Sequence, residues 1–275
     1  MKRWLVTLAG VSVLLYGCGE IAEDEPSVSE TLSFNEPIVA GDLQCNPADP
    51  YLKAAPGGDV FLSWTEQETG HQEGGLNFFI ATLSSEGGLL DDPRQINDRP
   101  GEVSSHGGEN LAKFTIGVDG SLTGVWAARG PVEKTGDLRM AHAESTGLFS
   151  PAVTLNDDEE KAINHAFSGI ATSPNGKLYA AWNDGRNDLE SSQIFMAVSE
   201  DNGKTFGSNY SIANNACPCC RPSILFLEGG KMIVVAYRIV PPDNVRNHVV
   251  IRSTDGGKTF SDPVTISDDG WVSYG

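Results

Sequence analysis

Three of the five cysteines stand almost side by side in the segment Cys217-Pro-Cys-Cys220. Thiols at this spacing can form disulfides, exchange disulfides with other molecules, or bind a soft or borderline metal ion such as copper or zinc. The segment matches no standard zinc-binding spacing. The first alternative is therefore structural, with two disulfides that use all four cysteines after residue 18, one of them joining Cys45 to the cluster.

A metal site is the second alternative. It requires ligands that reach the cluster from distant parts of the chain, and the candidates are Cys45, His106 and His165. Thiolate and imidazole groups together suit zinc or copper. The third alternative is a redox-active or strained pair at Cys219 and Cys220, because adjacent thiols can exchange disulfides.

A second chemical set consists of charged side chains in polar segments of the later part of the chain. One guanidinium group donates two parallel hydrogen bonds to a planar carboxylate, so several arginines around one point could hold an acidic ligand. The candidates are Asp184, Arg186, Arg221 and Arg238. We expect the three arginines to converge within reach of one small anion.

A repeated motif indicates how these residues are positioned. The segment Ser199-Glu-Asp-Asn-Gly-Lys-Thr-Phe206 is nearly repeated as Ser253-Thr-Asp-Gly-Gly-Lys-Thr-Phe260. Self-similarity at a fixed spacing of this size is typical of propellers and other repeat architectures. Within the motif, the aspartate can accept bonds from backbone N–H groups of a turn, and the glycine can adopt a positive φ. We therefore expect the motif to be structural, with its phenylalanine packed between sheets.

Four apolar runs that end in an aromatic residue mark the repeating units, at residues 60–64, 122–126, 178–182 and 233–237. Each run follows a turn rich in Gly, Asp or Asn, and two further short β-prone segments follow each run. This pattern predicts four antiparallel strands per unit, which is the content of one propeller blade. The sequence thus predicts an all-β propeller of about four blades plus the start of a fifth, with the polar candidates in loops at one end.

The repeated motif resembles the Asp box of the sialidase superfamily, whose members carry this BNR repeat in six-bladed β-propellers. The matching positions are Ser199, Asp201, Gly203, Phe206, Ser253, Asp255, Gly257 and Phe260. The resemblance covers essentially all of residues 34–275. Since it implies six blades and the sequence supplies four units and the start of a fifth, we expect the propeller to be truncated at its C-terminal end. The alternatives are a genuine ring of four or five blades and completion of the ring by another chain.

The resemblance also implies an activity. Sialidases clamp a carboxylate with three arginines, use a tyrosine activated by a glutamate as nucleophile, and use an aspartate as acid/base. This chain departs from their Phe/Tyr-Arg-Ile/Leu-Pro motif, because the matching region reads Cys45-Asn-Pro-Ala-Asp-Pro50. We expect glycan binding or exo-α-sialidase-type hydrolysis with the catalytic set unassigned. The alternatives are a non-hydrolytic propeller with an axial cysteine/histidine site and a scaffold that binds a partner protein.

The N-terminal segment predicts export. The residues Met1-Lys-Arg3 precede an apolar stretch, and Leu15-Tyr-Gly-Cys18 resembles a bacterial lipobox. The resemblance implies a signal peptide at residues 1–17, lipidation of Cys18, and attachment to the outer membrane or cell surface through the lipid alone. Residues 18–33 are expected to be a flexible acidic tether, and residues 34–275 the propeller. An ordinary signal peptide without lipidation is the alternative.

The formal net charge of −18 at pH 7 argues against nucleic acid as a partner. An acidic surface also gives anionic sugars no long-range attraction, so a site for an acidic sugar needs a local group of basic side chains. The expected partner is a glycan or another small extracellular ligand.

Overall fold

The computed structural model describes residues 7–8, 11–12, 43–68, 75–84, 88–105, 110–145, 147–159, 162–186, 192–240 and 245–267. The chain divides into two compact units, Met1–Pro37 and Ile38–Gly275. In the first unit, β1 (Thr7–Leu8) pairs antiparallel with β2 (Val11–Ser12). The predicted lipidation site Cys18, the predicted tether, the candidate ligand His106 and the expected start of a fifth blade lie outside the described residues. The described part of the chain contains no helix with the length and apolar character needed to span a bilayer.

The described part of the second unit forms four antiparallel sheets, each made of four strands that follow one another along the chain. The first sheet contains β3 (Ala48–Ala54), β4 (Val60–Gln67), β5 (Leu76–Leu83) and β6 (Arg94–Gln95). The second contains β7 (Lys113–Ile116), β8 (Leu122–Ala127), β9 (Leu138–Ala143) and β10 (Val153–Thr154). The third contains β11 (His165–Thr172), β12 (Leu178–Asp184), β13 (Ser192–Ser199) and β14 (Tyr210–Ala216). The fourth contains β15 (Ser223–Leu227), β16 (Met232–Arg238), β17 (His248–Ser253) and β18 (Val264–Thr265).

These sheets confirm the predicted blades. The four apolar runs form the second strand of each sheet, and the predicted turns connect the first strand to the second. The short 3-10 turns η1 (Leu43–Cys45) and η2 (Glu228–Gly230) precede β3 and connect β15 to β16. Strand β11 contacts both β7 and β15, so the first strands of successive sheets lie side by side at the inside of the array. The fourth strands β10 and β18 are exposed at its outside.

Among the described residues, three large apolar cores lie between successive sheets, and a small fourth cluster of Ala127, Ala166 and Phe167 lies between the second and third. The core between the first and second sheets is built from Phe61, Phe78, Ile80, Phe114 and Trp126. The next two cores are centred on Met140, Trp182 and Phe195, and on Tyr179, Met196, Val235 and Ile251. Alternate side chains of a strand point to opposite faces, so each middle sheet contributes to two cores. Full burial of each large apolar side chain contributes about 1.5–3 kcal/mol, and this burial holds the sheets face to face.

The repeated motif forms the same turn after β13 and after β17. In the first copy, Asp201 Oδ1 accepts bonds from Ser199 Oγ at 2.7 Å and from the Thr205 backbone N–H at 2.9 Å. In the second copy, the matching distances from Asp255 are 2.7 and 3.0 Å. The φ angles of Gly203 and Gly257 are 92° and 89°, in the region that glycine adopts without strain.

The motif also ties neighbouring sheets together, as the sequence predicts. Phe206 packs on the core between the second and third sheets, and Phe260 packs on the core between the third and fourth. A Cβ atom at Gly203 would lie 2.1 Å from Thr123 Oγ1 of β8, whereas one at Gly257 would lie 3.3 Å from its nearest neighbour. The first copy is therefore packed more tightly against the preceding sheet than the second.

The outward faces of the first and fourth sheets are partly exposed. Leu52 on β3 and Leu225 on β15 are 59% and 57% exposed, although both belong to inner strands. Among the described residues, no further sheet covers these two faces. The architecture is an all-β, incomplete propeller with about four blades, as expected from the sequence.

Candidate functional site

Side-chain hydrogen bonds connect the inner strands of the first three sheets. Lys53 Nζ on β3 donates to Thr115 Oγ1 on β7 at 2.9 Å. Thr115 Oγ1 lies 2.9 Å from Thr172 Oγ1 on β11. Because each residue belongs to a different sheet, the three bonded side chains form a polar seam along the inside of the propeller.

Basic side chains gather beside this seam. The ammonium group of Lys113 lies 3.9 Å from the centroid of the Tyr51 ring, in cation–π geometry. Tyr51 in turn packs edge to face on Phe114, with 5.5 Å between the ring centroids. The charges of Arg221, Asp49 and Lys53 all act on Lys113. We name these three residues the inner-strand basic cluster: Lys53 and Lys113 on inner strands, and Arg221 in the segment just before the inner strand β15.

The surroundings of the cluster lower the pKa values of its two lysines. Burial, together with the positive charges of Arg221 and Lys53, lowers the pKa of Lys113 to about 8, although Asp49 opposes the shift. Burial also lowers the pKa of Lys53. Burial and like charges thus disfavour the charged form of Lys113, and a site that concentrates one sign of charge suits a ligand of the opposite sign.

Few acidic groups among the described residues balance the positive charge of the cluster. No carboxylate among them lies within ion-pair distance of Lys53 or Lys113. Asp49 raises the pKa of Lys113 through its charge, and its Oδ2 accepts a hydrogen bond from Thr65 Oγ1 at 3.0 Å. Our sequence reasoning missed both lysines. The available signal was a basic residue on the first strand of each of the first two repeats, where the inner strands meet.

The predicted candidates Asp184 and Arg186 form a buried ion pair at the seam between the second and third sheets. Arg186 Nε and Nη2 donate to the two oxygens of Asp184 at 3.0 and 2.9 Å. Arg186 Nη1 reaches Asp157 at 2.6 Å, and Nη2 lies 3.4 Å from Asp158. The guanidinium group also stacks over Phe195 at 4.3 Å. Three carboxylates of the same chain thus surround Arg186. This arrangement indicates a structural role, in which Arg186 stabilises the packing of the two sheets.

His165 belongs to the same acidic network. Its Nε2 lies 3.0 Å from Asp158 Oδ1 and 3.7 Å from Asp184 Oδ2. Its Nδ1 lies 2.9 Å from the Gly136 carbonyl oxygen, and the side chain is fully buried. The structure therefore places this candidate metal ligand among carboxylates at the seam, and it does not place His165 in the sulfur cluster.

Arg238 and Arg246 lie against the cysteines. Arg238 Nη1 is 3.9 Å from Cys220 Sγ, and Arg246 Nη1 is 3.8 Å from Cys217 Sγ. Arg238 Nε also donates to the Arg246 carbonyl oxygen at 3.3 Å. Arg221 follows Cys220 directly in the chain and is exposed. The contacts found for Arg186 and for Arg238 share no residue in the described structure, so the expected convergence of three arginines on one anion stays a prediction.

The cysteine segment is a tight turn that leaves β14. Cys217 Sγ lies 2.7 Å from Cys220 Sγ and 3.5 Å from Cys219 Sγ. The three sulfur atoms lie within 4.8 Å of one another. Cys217 is buried, Cys220 is half-buried and Cys219 is exposed. Cys45 lies in η1 and is not a member of this group, so the sulfur cluster among the described residues is Cys217, Cys219 and Cys220.

Main-chain contacts fix the cysteine turn. The Asn183 side-chain amide donates to the carbonyl oxygens of Cys217 and Cys220, at 3.0 and 2.9 Å. The Cys217 N–H donates to the Arg238 carbonyl oxygen at 2.8 Å. Asn183 is fully buried on β12, so strands of the third and fourth sheets hold the turn from two sides.

A cleft between the first and second sheets offers a further group of arginines. It is lined by Arg99, Arg129, Arg139 and Glu102, among others. Arg139 is buried and pairs with Glu102 at 2.5 Å and with Asp98 at 3.4 Å. Because carboxylates of the chain already balance this arginine, the cleft is a weaker candidate for an anion than the inner-strand basic cluster.

Comparison with solved structures places the fold. The leech intramolecular trans-sialidase, solved with 2,7-anhydro-Neu5Ac, is similar to this chain with a TM-score of 0.60 and 11% identity over 86% of this chain and 54% of the leech chain. The Ruminococcus gnavus intramolecular trans-sialidase gives a TM-score of 0.57 and 12% identity over 84% of this chain and 73% of that one. A PL25 ulvan lyase gives a TM-score of 0.51 and 14% identity over 80% of this chain and 58% of the lyase chain. The fold is a sialidase-like β-propeller.

These likenesses concern the fold alone, since the identities are low. The chain spans about half the length of the leech enzyme. It also covers 46% of the Hadza microbial sialidase Hz136, to which it is similar with a TM-score of 0.54. No protein-family model matches the chain, and no curated protein matches its sequence. The chemistry of this sialidase-like propeller must therefore be argued from its own residues.

The described tyrosines of this sialidase-like propeller are poorly suited to act as nucleophiles. Burial raises the pKa of Tyr51 and of Tyr179. Burial also raises the pKa values of Tyr210 and Tyr237 to about 12 each. A tyrosine nucleophile needs a nearby base or a lowered pKa, so the raised pKa values stand against nucleophilic attack by these four tyrosines.

Proposed function

We propose that this sialidase-like propeller binds an acidic saccharide at the inner-strand basic cluster. The observation that supports it is the placement of Lys53 and Lys113 on inner strands of the first two sheets, where the charge of Arg221 acts on Lys113 from the segment before β15. No carboxylate among the described residues is in ion-pair contact with either lysine. A carboxylate or sulfate group would compensate the mutual repulsion of these side chains. Arginine would hold the group bidentately, and the lysines would act as point charges.

The overall charge of the protein strengthens this reading. In a chain of formal net charge −18, basic side chains are the minority. Among the described residues, Lys177 and Lys204 form ion pairs with Glu200 and Glu144, whereas Lys53 and Lys113 form none. The basic cluster thus supplies the short-range attraction that an acidic ligand needs near an acidic surface.

The choice of a saccharide rests on the fold. The similar solved structures include trans-sialidases and a lyase bound to a uronate-containing saccharide. Their names describe those proteins, and for this chain they support acidic sugars as the first ligands to test. Sialic acid and glucuronic acid each present one planar carboxylate of the size that a guanidinium and two ammonium groups can surround.

Isothermal titration calorimetry of the purified chain with 3′-sialyllactose, a glucuronate disaccharide and neutral lactose tests the proposal. We expect binding of an acidic sugar and none of lactose. Each hydrogen bond to a charged group is worth about 1.5–3 kcal/mol, so Lys113→Met and Arg221→Met should each weaken binding roughly 10- to 100-fold. Lys177→Met is the matched control because that lysine is exposed and ion-paired elsewhere. Equal binding of lactose, or equal loss in the control, would contradict the proposal.

Exo-α-sialidase-type hydrolysis is the finer form of this proposal. The support is the sialidase-like fold, and the raised pKa values of the four described tyrosines stand against it. A fluorogenic sialoside assay separates the two forms. Turnover that is lost in Lys113→Met would support hydrolysis at the basic cluster, and binding without turnover would support recognition alone.

We also propose that the protein is exported and lipidated at Cys18, in the cell envelope. The support is the basic start, the apolar stretch and the Leu15-Tyr-Gly-Cys18 sequence. Mass measurement of the N-terminal peptide from a bacterial membrane fraction tests it. A diacylglyceryl-modified Cys18 is expected, and Cys18→Ser should abolish the modification; an unmodified peptide that begins elsewhere would contradict it.

A further inference from the structure

The cysteine turn has the geometry of a dithiol that can close to a disulfide. Cys217 and Cys220 are three residues apart, and their sulfur atoms lie at 2.7 Å. A disulfide bond is about 2.05 Å long, so closure requires the two atoms to approach by well under 1 Å. The backbone already supports this ring, because the Cys220 N–H donates to the Cys217 carbonyl oxygen at 3.2 Å.

The separation of this pair differs from that of two thiolates on one metal ion. Two thiolates on one zinc ion, each about 2.3 Å from a tetrahedral centre, lie about 3.8 Å apart. Cys217 and Cys220 would therefore have to separate by roughly 1 Å to share an ion, and the bonds from Asn183 fix the backbone of the turn. His165, one of the two candidate nitrogen ligands, lies in the acidic network at the other seam, and the second, His106, lies outside the described residues.

The surroundings of the pair favour a thiolate at Cys220. Arg238 and Arg246 place positive charge 3.9 and 3.8 Å from the sulfur atoms of Cys220 and Cys217. Hydrogen bonding with Cys217 and the charge of Arg238 lower the pKa of Cys220, although burial opposes them. Hydrogen bonding with Cys220 and burial raise the pKa of Cys217. Unequal thiols of this kind are the arrangement of an attacking cysteine and a resolving cysteine.

We propose that Cys217 and Cys220 form a reversible thiol–disulfide pair that exchanges with an external disulfide. This activity is separate from saccharide binding and does not depend on it. Cys220 is the attacking residue because it is half-buried and reachable, whereas Cys217 is fully buried and has Cys220 Sγ as its nearest sulfur atom. Cys219 is exposed and lies 3.5 Å from Cys217, at the entrance to the pair.

The reaction balances with a disulfide of the type RSSR as the two-electron oxidant. The Cys220 thiolate attacks one sulfur of RSSR, forming a mixed disulfide and releasing RS⁻. The Cys217 thiol then loses its proton and attacks Cys220 Sγ, which closes the intramolecular disulfide and releases the second RS⁻. Both leaving groups take up protons, so one dithiol and one RSSR give one protein disulfide and two RSH. The reverse sequence reduces the protein with two equivalents of thiol.

A redox titration of the purified full chain tests the proposal. The reduced protein is equilibrated with glutathione and glutathione disulfide at graded ratios, alkylated, digested and sequenced by mass spectrometry. We expect two thiols to be lost together, at Cys217 and Cys220, with Cys219 still alkylated. Cys45→Ser and Cys219→Ser are the matched controls, and each should remove one alkylated thiol without changing the midpoint ratio.

Two variants make the assignment specific. Cys217→Ser removes the resolving thiol, so Cys220 should accumulate as a mixed disulfide with glutathione. Arg238→Gln should reduce the rate of Cys220 alkylation near pH 7 by roughly 3- to 10-fold, which corresponds to a rise of about half to one unit in its pKa. Arg252→Gln, on the exposed side of β17, should leave that rate unchanged.

Three results would overturn the proposal. One is retention of all three alkylated cysteines at the most oxidising ratio. Another is a disulfide that joins Cys45 or Cys219 to the pair in place of the Cys217–Cys220 bond. The third is a stoichiometric zinc or copper ion, found by elemental analysis, that protects all three thiols and is lost on Cys219→Ser, since it would assign the cluster to metal binding.

Discussion

The ammonium group of Lys113 lies over the face of the Tyr51 ring, 3.9 Å from its centroid. The two residues belong to the inner strands of different sheets, so their contact is a product of the propeller and not of local sequence. The ring supplies a favourable quadrupole for the cation, worth about 0.5–2 kcal/mol. The neighbouring charges of Arg221 and Lys53 act in the opposite direction. A bound anion at this place would therefore stabilise the charged form of Lys113.

The first prediction concerns the pH dependence of acidic-sugar binding. Since the pKa of Lys113 is lowered to about 8, the lysine loses its charge as pH rises through that value. An anion binds better to the charged form, so affinity should fall between pH 7 and 9, by roughly tenfold per charge-assisted bond lost. Calorimetry with 3′-sialyllactose at several pH values measures this. Lys113→Met should bind weakly and with a flat profile over this range, and an unchanged slope in that variant would refute the assignment.

The same lysine gives a second prediction, on the stability of the ligand-free protein. Its pKa in the folded state is below the ordinary value of 10.5, so the unfolded chain binds more protons between pH 8 and 10.5. The contribution of Lys113 to folding therefore becomes more favourable as pH rises through this window. Urea unfolding of the wild type and of Lys113→Met should show a difference in unfolding free energy that changes with this sign between pH 7 and 10. A constant difference would contradict it.

The third prediction concerns Arg186 as a structural residue. Truncation to alanine leaves Asp184 buried without its bidentate partner, and loss of one member of a buried pair costs about 3–5 kcal/mol. Arg186→Ala should therefore lower the midpoint of urea unfolding strongly. Arg252→Ala removes an exposed arginine and should change stability by less than about 0.5 kcal/mol. Similar small effects from both variants would show that Arg186 is not a brace.

The fourth prediction uses the two copies of the repeated turn as internal controls. Gly203→Ala and Gly257→Ala impose the same positive-φ strain, about 1–2 kcal/mol. Only the first also forces a Cβ atom to within 2.1 Å of Thr123 Oγ1, which adds about 1–3 kcal/mol of overpacking. Thermal unfolding should thus show a larger loss for Gly203→Ala. Equal losses would mean that the turn of the first copy can move away from β8.

The fifth prediction concerns acid stability. Although burial opposes it, hydrogen bonds from Thr205 and Ser199 lower the pKa of Asp201 to about 2. A carboxyl group with a depressed pKa stabilises the folded state above its ordinary pKa near 4, and this contribution is lost as pH falls toward 2. The gap in unfolding free energy between wild type and Asp201→Asn should therefore be largest near neutral pH and shrink below pH 4. Asp255→Asn should behave alike, because its bonds match; a gap that does not vary with pH would contradict the prediction.

The sequence by itself determined the repeating architecture. Hydrophobic runs, turn residues and the two motif copies act over a few neighbouring residues, and the apolar runs at residues 122–126 and 178–182 agree with the observed β8 (Leu122–Ala127) and β12 (Leu178–Asp184). The sulfur cluster was also visible, because Cys217, Cys219 and Cys220 are close along the chain.

The tertiary structure decided which distant side chains meet. The sequence predicted both His165 and Arg186 as site residues. In the packed structure, His165 lies beside Asp158 and Arg186 pairs with Asp184 at one seam. The sequence did not predict the contact between Lys113 and Tyr51, since neither residue belongs to a motif and they are far apart along the chain. Local patterns specify strands and turns, whereas charge compensation depends on which sheets face each other, and only the packed propeller determines that.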